Sequence, residues 1–135
     1  VSGLSDLRAL AARSPAARFL DLSMDEDAGG RLYRLGFREV HIGNPLIRAL
    51  HGGVVATFLE AVAELEVAAA SGFKRFQTIS MQIDYLKGAE AADMFARAGI
   101  VRIGRRVSVA DAVGWQATEE KPVARASVTF RMPDA

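Results

Sequence analysis

Residues 54–70 place Val54, Phe58, Val62, Leu65 and Ala69 on one stripe at about 100° per residue, which predicts a long helix with one apolar face. Glu60 falls roughly opposite that stripe, beside Thr57, Glu64 and Val67, and Ser71-Gly72 supplies the stop. Upstream, Leu4, Leu7, Leu10 and Ala11 recur at helical spacing, with Ser2 or Ser5 available as a cap. Ser14-Pro15 restarts the pattern over residues 16–20. The acidic stretch 21–30 closes on Gly-Gly and reads as a turn region with a short strand at 22–24. Asp25-Glu26-Asp27 belongs to that solvated turn and has no metal-site logic. Residues 31–37 alternate as a strand, with Tyr33, Leu35 and Phe37 on one face and Arg34 and Arg38 on the other.

Beyond residue 77 the period changes from helix to strand. Residues 78–85 set Ile79, Met81, Ile83 and Tyr85 against Thr78, Ser80, Gln82 and Asp84. A turn or crossover at 86–92 leads to a strand over 94–103, and Gly104-Arg105 turns the chain into a third strand over 107–118. There Val107, Val109, Val113 and Trp115 run in phase. A polar turn at 119–122 precedes a final strand over 123–132 with Ala124, Ala126, Val128 and Phe130 on one face. The expected architecture is one α+β domain over residues 1–135. A helical segment (1–20) is followed by a strand, a long central helix, and an antiparallel meander of about four strands whose apolar face receives the helix. A nucleotide-binding βαβ fold is excluded, and no phosphate-loop motif follows the lone Gly52-Gly53.

Composition removes several function classes. With 17 basic and 16 acidic side chains the net charge is +1, so no global field attracts nucleic acid or an anionic membrane. Glu60, Glu64 and Glu66 interrupt the longest apolar run, so no membrane span is expected. No cysteine is present, which removes thiol catalysis, disulfides and zinc-thiolate sites; with His41 and His51 the only histidines, no metal site or cofactor is expected. No signal peptide is visible, and the chain starts at Val1 without Met, as a trimmed start would. A cytoplasmic location is the expectation.

The candidate chemistry lies in Gly43-Asn44-Pro45-Leu46-Ile47-Arg48-Ala49-Leu50-His51-Gly52-Gly53 and the helix behind it. Unpaired N–H groups and the partial positive charge at a helix start suit a developing oxyanion, and glycine admits a carbonyl without a Cβ in the way. A partly buried carboxylate without a neighbouring cation has a raised pKa and suits general-base work. The segment from His51 to Glu60 resembles the HGG-x6-D/E signature of hotdog-fold acyl-CoA thioesterases of the phenylacetate-pathway (PaaI-like) branch. The resemblance continues through residues 78–86, similar to a T-x6-Y-L strand, Val101-Arg102-Ile103-Gly104-Arg105, similar to a V-x-x-G-R turn, and the closing strand at 124–130. It covers about residues 15–132.

This resemblance implies a hotdog fold, a long helix wrapped by a bent antiparallel sheet, and hydrolysis of an acyl-CoA to free acid and CoA without metal or redox cofactor. It assigns Glu60 as the catalytic carboxylate, Gly53 (with Gly52) as the backbone donor that polarises the thioester carbonyl, and His51 and Asn44 as the pair orienting loop and substrate. Thr78 matches a hydroxyl residue that positions the lytic water. Two departures stand out. Asn44 lies seven residues before His51, against about six with an intervening glycine in the family pattern, and Glu60 stands where aspartate is usual. Arg105 and Arg106 are read either as a solvated strand end or as ligands of the CoA phosphates, and His41 as structural. Gly53 and Glu60 lie about 10 Å apart along one helix, at ~1.5 Å per residue, too far to act on one carbonyl. If both act, Glu60 comes from a second subunit, which predicts a homodimer with two shared sites. The resemblance adds a dimer-of-dimers tetramer. A hotdog 3-hydroxyacyl dehydratase or hydratase, and a non-catalytic acyl-CoA-binding protein, are the alternatives.

Overall fold

The computed structural model describes residues 3–133. Two short helices, α1 (Leu4–Ala12) and α2 (Pro15–Phe19), lead into the hairpin β1 (Leu22–Asp27) and β2 (Gly30–Leu35). A 3-10 turn (Glu39–His41), β3 (Ile42–Asn44) and β4 (Ala49–Leu50) then deliver the chain to the central helix α3 (Gly52–Ser71). Strands β5 (Gln77–Tyr85), β6 (Met94–Arg102), β7 (Val107–Trp115) and β8 (Ala124–Arg131) follow. One six-stranded antiparallel sheet runs β1-β2-β6-β7-β8-β5, and α3 packs on its middle, over β6, β7 and β8. This is the α+β hotdog arrangement. No helix among the described residues is long and apolar enough to cross a membrane.

Local chemistry explains most boundaries. The Ser14 hydroxyl accepts the Ala17 N–H at 3.2 Å and Pro15 occupies the first turn, so α2 starts where expected. Helix α3 stops at Gly72, whose φ of 76° few residues other than glycine adopt readily. By contrast α1 is preceded by Gly3 with no side-chain cap, so Ser5 does not serve, and Ser2 lies outside the described residues. The strand expected at 22–24 extends to Asp27 because its acids point to solvent and find cations: Asp25 meets Arg8 and Asp27 meets Arg97.

Two expectations are corrected. The second half is not a simple meander, because β5 pairs with β8, from Gln77↔Arg131 to Tyr85↔Ala124, and β6 pairs with β2 on its other side. Residues 86–93 therefore carry the chain across the sheet, and β5 forms one edge. The phase of β7 is also reversed: Ser108, Ala110, Ala112 and Gly114 face the helix, while Val107 and Val113 are partly exposed. Proximity to α3 is the cause. A Cβ on Gly114 would lie 3.1 Å from Leu59 Cδ2 and 3.3 Å from Met94 Sδ, so small side chains set how closely helix and sheet approach.

The helix is also tied to the sheet by a polar lock. Glu66 accepts bonds from Arg31 Nε at 2.6 Å, Arg31 Nη2 at 2.9 Å and the Tyr33 hydroxyl at 2.5 Å. Burial, reinforced by the Glu66 carboxylate, pushes the Tyr33 hydroxyl pKa up, and the bond to Glu66 raises that of Arg31.

Candidate functional site

The loop before α3 is built around its two histidines. His41 is fully buried, accepts the Arg38 N–H on Nδ1 at 3.0 Å and donates from Nε2 to the Phe19 carbonyl at 2.7 Å. Its ring meets Phe19 and Phe37 edge-on, so it is structural, as expected. Its carbonyl accepts the His51 N–H at 2.9 Å, which fixes where the second histidine begins. Gly43 completes the fit: a Cβ there would lie 2.7 Å from His51 Cα and 2.9 Å from His51 Cβ. Only glycine lets β3 and the His51 backbone approach this closely.

His51 is the N-cap of α3. Its carbonyl accepts the N–H groups of Val54 and Val55, and its Nδ1 accepts the Gly53 N–H at 2.9 Å. A neutral imidazole accepting on Nδ1 carries its proton on Nε2, which leaves an N–H donor facing away from the helix. The Gly52 N–H has no partner among the described residues, and the Gly52 carbonyl accepts the Tyr85 hydroxyl at 2.7 Å. Sequence reasoning placed Tyr85 on a strand but missed this bond, because β5 reaches the helix start only through the sheet topology. A groove of about 320 Å³ lies here, bordered by Leu50, Gly52, Val55, Tyr85 and Lys87.

Asn44 makes no hydrogen bond to these donors among the described residues. Its Oδ1 accepts the Leu46 N–H at 3.1 Å, closing an Asx turn over Pro45 in an exposed loop.

The acid half of the site lies further along α3. Glu60 is half-buried, and no arginine, lysine or histidine pairs with it among the described residues. Glu64 follows one helical turn later on the same side. It stays solvent-accessible at the mouth of a hollow, yet burial raises its carboxyl pKa and the charge of Glu60 adds to the rise. Thr78 is half-buried on β5 beside a β-bulge at Ile79, and its hydroxyl makes no hydrogen bond among the described residues. Arg105 and Arg106 are exposed in the β6–β7 turn, where the Arg106 carbonyl accepts the Met132 N–H at 2.8 Å, and neither guanidinium joins an ion pair among the described residues.

Within one chain these groups form two separate sets. His51, Gly52, Gly53 and Tyr85 gather at the N-terminus of α3; Thr78, Arg105 and Arg106 gather at the opposite end of the sheet, with Gln77, Val107 and Arg131 in register there. Thr78 and Tyr85 are about 23 Å apart along β5 at ~3.3 Å per residue, and Gly53 and Glu60 about 10 Å apart along α3. One subunit holds a donor set and an acid that cannot meet on one carbonyl.

Residues 42–131 match the family described as "Acyl-CoA thioesterase N-terminal domain". The chain is 38% identical over 71 residues to 1,4-dihydroxy-2-naphthoyl-CoA thioesterase 2 of Arabidopsis thaliana, a match covering 52% of this chain and 45% of that protein. It thus spans about half the length of the curated relative it matches. A solved protein of the thioesterase superfamily superposes with a TM-score of 0.86 and 27% identity, covering 96% of this chain and 98% of that one. A thioesterase from Haemophilus influenzae (TM-score 0.81, 19% identity, 99% and 92% covered) and a Bacillus halodurans protein crystallised with CoA (0.76, 19%, 100% and 97%) share the fold. The helix tip, the acid two turns behind it and the match over residues 42–131 lead to one conclusion: this chain belongs to the acyl-CoA thioesterase family, thioester hydrolases on the hotdog fold.

Proposed function

We propose that the protein hydrolyses an acyl-CoA thioester to a free acid and CoA, in the manner of the PaaI-like branch, at sites shared between two subunits. One observation carries this reading: two glycine N–H groups at the start of α3, one of them open, with an unpaired carboxylate, Glu60, on the same helix. The donors polarise the thioester carbonyl and take up the charge of the tetrahedral intermediate. The Gly52 N–H is open to it from the start, while the Gly53 N–H must share or exchange its bond to His51 Nδ1. The Nε2–H of His51 is a third donor at the same place. Glu60 of the partner subunit activates water or attacks directly, and Thr78 of that same subunit steadies the water. The CoA thiolate then leaves.

The 10 Å separation along the helix supports the dimer, since an antiparallel partner helix brings each Glu60 beside the other chain's Gly53. The exposed edge of β5 offers a surface for such pairing. Association of two dimers into a tetramer and a cytoplasmic location complete the reading. Arg105 and Arg106, exposed in the β6–β7 turn, suit the phosphates of CoA. Asn44 acts by shaping the loop ahead of His51. The naphthoyl-CoA substrate named for the Arabidopsis relative is an aryl thioester, a class this reading admits.

Thiol release from an acyl-CoA panel tests the assignment. Glu60→Gln should lower kcat by about a hundredfold or more, and a variant as fast as wild type on a good substrate would overturn it. Sharing is tested separately by co-refolding Glu60→Gln with His51→Ala. The mixed dimer regains one intact site if the halves come from different chains, and regains nothing if each chain is self-sufficient.

A further inference from the structure

Tyr85 makes a bond to which the chemistry above gives no task. The residue closes β5 and is 53% exposed, so its hydroxyl has water within reach; it instead donates to the Gly52 carbonyl at 2.7 Å. The ring also stands against the helix start: a Cβ on Gly52 would lie 3.3 Å from the Tyr85 hydroxyl oxygen and 3.5 Å from Cζ. Both partners of this bond are held from outside. Behind Tyr85, the Leu86 and Lys87 N–H groups share the carbonyl of buried Val123, which pins the end of β5 beyond its ladder pair Tyr85↔Ala124. Ahead of Gly52, the Leu50 N–H bonds the Ala89 carbonyl at 3.1 Å and the His51 N–H bonds the His41 carbonyl at 2.9 Å. Hydroxyl and helix tip thus meet within one hydrogen-bonded frame, as a preorganised contact requires.

The Gly52 carbonyl belongs to the same peptide unit as the Gly53 N–H. A carbonyl oxygen has two lone pairs, so it can take the hydroxyl and still serve the helix. Hydrogen bonds in series strengthen one another, and a donor on the oxygen of an amide makes its N–H a stronger donor. That gain grows with the charge on the acceptor. It is larger for an oxyanion than for the neutral His51 Nδ1 or a ground-state thioester oxygen, which is the condition for raising kcat. The bond also fixes the plane of the peptide, and with it the direction of the N–H.

Resting on the proposed thioester hydrolysis, we infer that Tyr85 is a positioning residue for the donor set of its own chain. Its hydroxyl holds and polarises the Gly52–Gly53 peptide, and it acts on the substrate carbonyl through the Gly53 N–H without touching the substrate. Strand β5 then serves two sites: Tyr85 supports the donors of its own chain, and Thr78 at the other end is offered to the partner.

Tyr85→Phe keeps the ring and removes only the bond. On the acyl-CoA that wild type hydrolyses fastest, kcat and kcat/KM should fall together by about tenfold, with the melting temperature within about 3 °C of wild type. In the ligand-free protein the amide nitrogen resonance of Gly53 should move upfield, because an amide nitrogen is deshielded when the carbonyl of its peptide accepts a bond. Co-refolding assigns the residue to one half of the site. Tyr85→Phe with Glu60→Gln should regain one intact site per mixed dimer and exceed the mean of its parents, whereas Tyr85→Phe with His51→Ala should not. An unchanged kcat, a loss confined to KM, an unmoved Gly53 resonance, or recovery in the His51→Ala mixture overturns the inference while hydrolysis stands. If wild type hydrolyses no thioester, the hydrolase reading fails and the inference falls with it, whatever the Gly53 resonance does.

Discussion

Gly43→Ala tests whether backbone contact, and not a side-chain bond, places His51. The new Cβ would stand 2.7 Å from His51 Cα, 2.9 Å from Cβ and 3.0 Å from Cδ2. Ordinary contact begins near 3.4 Å, and the obstructing atoms include backbone, so no rotamer change relieves the clash. The two backbones must part by about 0.7 Å, and His51 is also held by its N–H to the His41 carbonyl and by its role as N-cap of α3. A displacement approaching 1 Å in a positioned donor costs up to about a hundredfold in rate, while overpacking of this kind costs about 1–2 kcal/mol. Thermal unfolding should therefore fall by about 4–8 °C, with kcat down at least about tenfold. Gly99→Ala is the control, since nothing lies within 4 Å of a Cβ there, and it should match wild type in both measurements. If Gly43→Ala keeps wild-type kcat and melting temperature, the close approach of β3 does not position the histidine and the account of the loop fails.

Two further expectations concern the scaffold. Glu66→Gln leaves the half-buried Arg31 without its charge partner and should cost about 2–3 kcal/mol in urea unfolding, with an unchanged denaturant slope; a loss under about 0.5 kcal/mol, typical of a surface change, would show that the lock contributes little. Asp93 accepts the Phe37 N–H at 2.7 Å and pairs with Arg34, which together hold its carboxyl below the ordinary 3.8. A depressed carboxylate stabilises the fold above its unfolded pKa and loses that contribution as pH falls through the folded value. Asp93→Asn should therefore lower the melting temperature at neutral pH and flatten its decline below about pH 4; a decline as steep as wild type would place the acid sensitivity elsewhere.

What could be read from the chain alone follows physical range. Helix α3 and strands β5 and β8 announce themselves because their periods are local, and Ser14-Pro15 and Gly72 mark boundaries by chemistry confined to a few residues. His51-Gly52-Gly53 was legible for the same reason. The phase of β7 was not: valine alternation looks like a core face until the closeness of α3 reserves that face for alanine and glycine. Glu66 looked like one more acid interrupting an apolar run, since its partners Arg31 and Tyr33 lie far back in sequence. Tyr85 and the edge position of β5 depend on strand order, which no local pattern encodes.

The pairing of β5 with β8 also bears on how the chain assembles. During synthesis β5 emerges long before the strand it joins, and β6 and β7 must form between them. Until β8 arrives, a nine-residue strand with Met81 and Ile83 on its inner face has both edges open. Non-local closure of this kind slows folding and exposes such a strand to mispairing. Along β5, Ser80, Gln82 and Asp84 alternate with the apolar residues, and such polar positions discourage stacking of like strands. The same polar positions that face away from the core in the finished sheet therefore disfavour pairing of like strands while that sheet is incomplete.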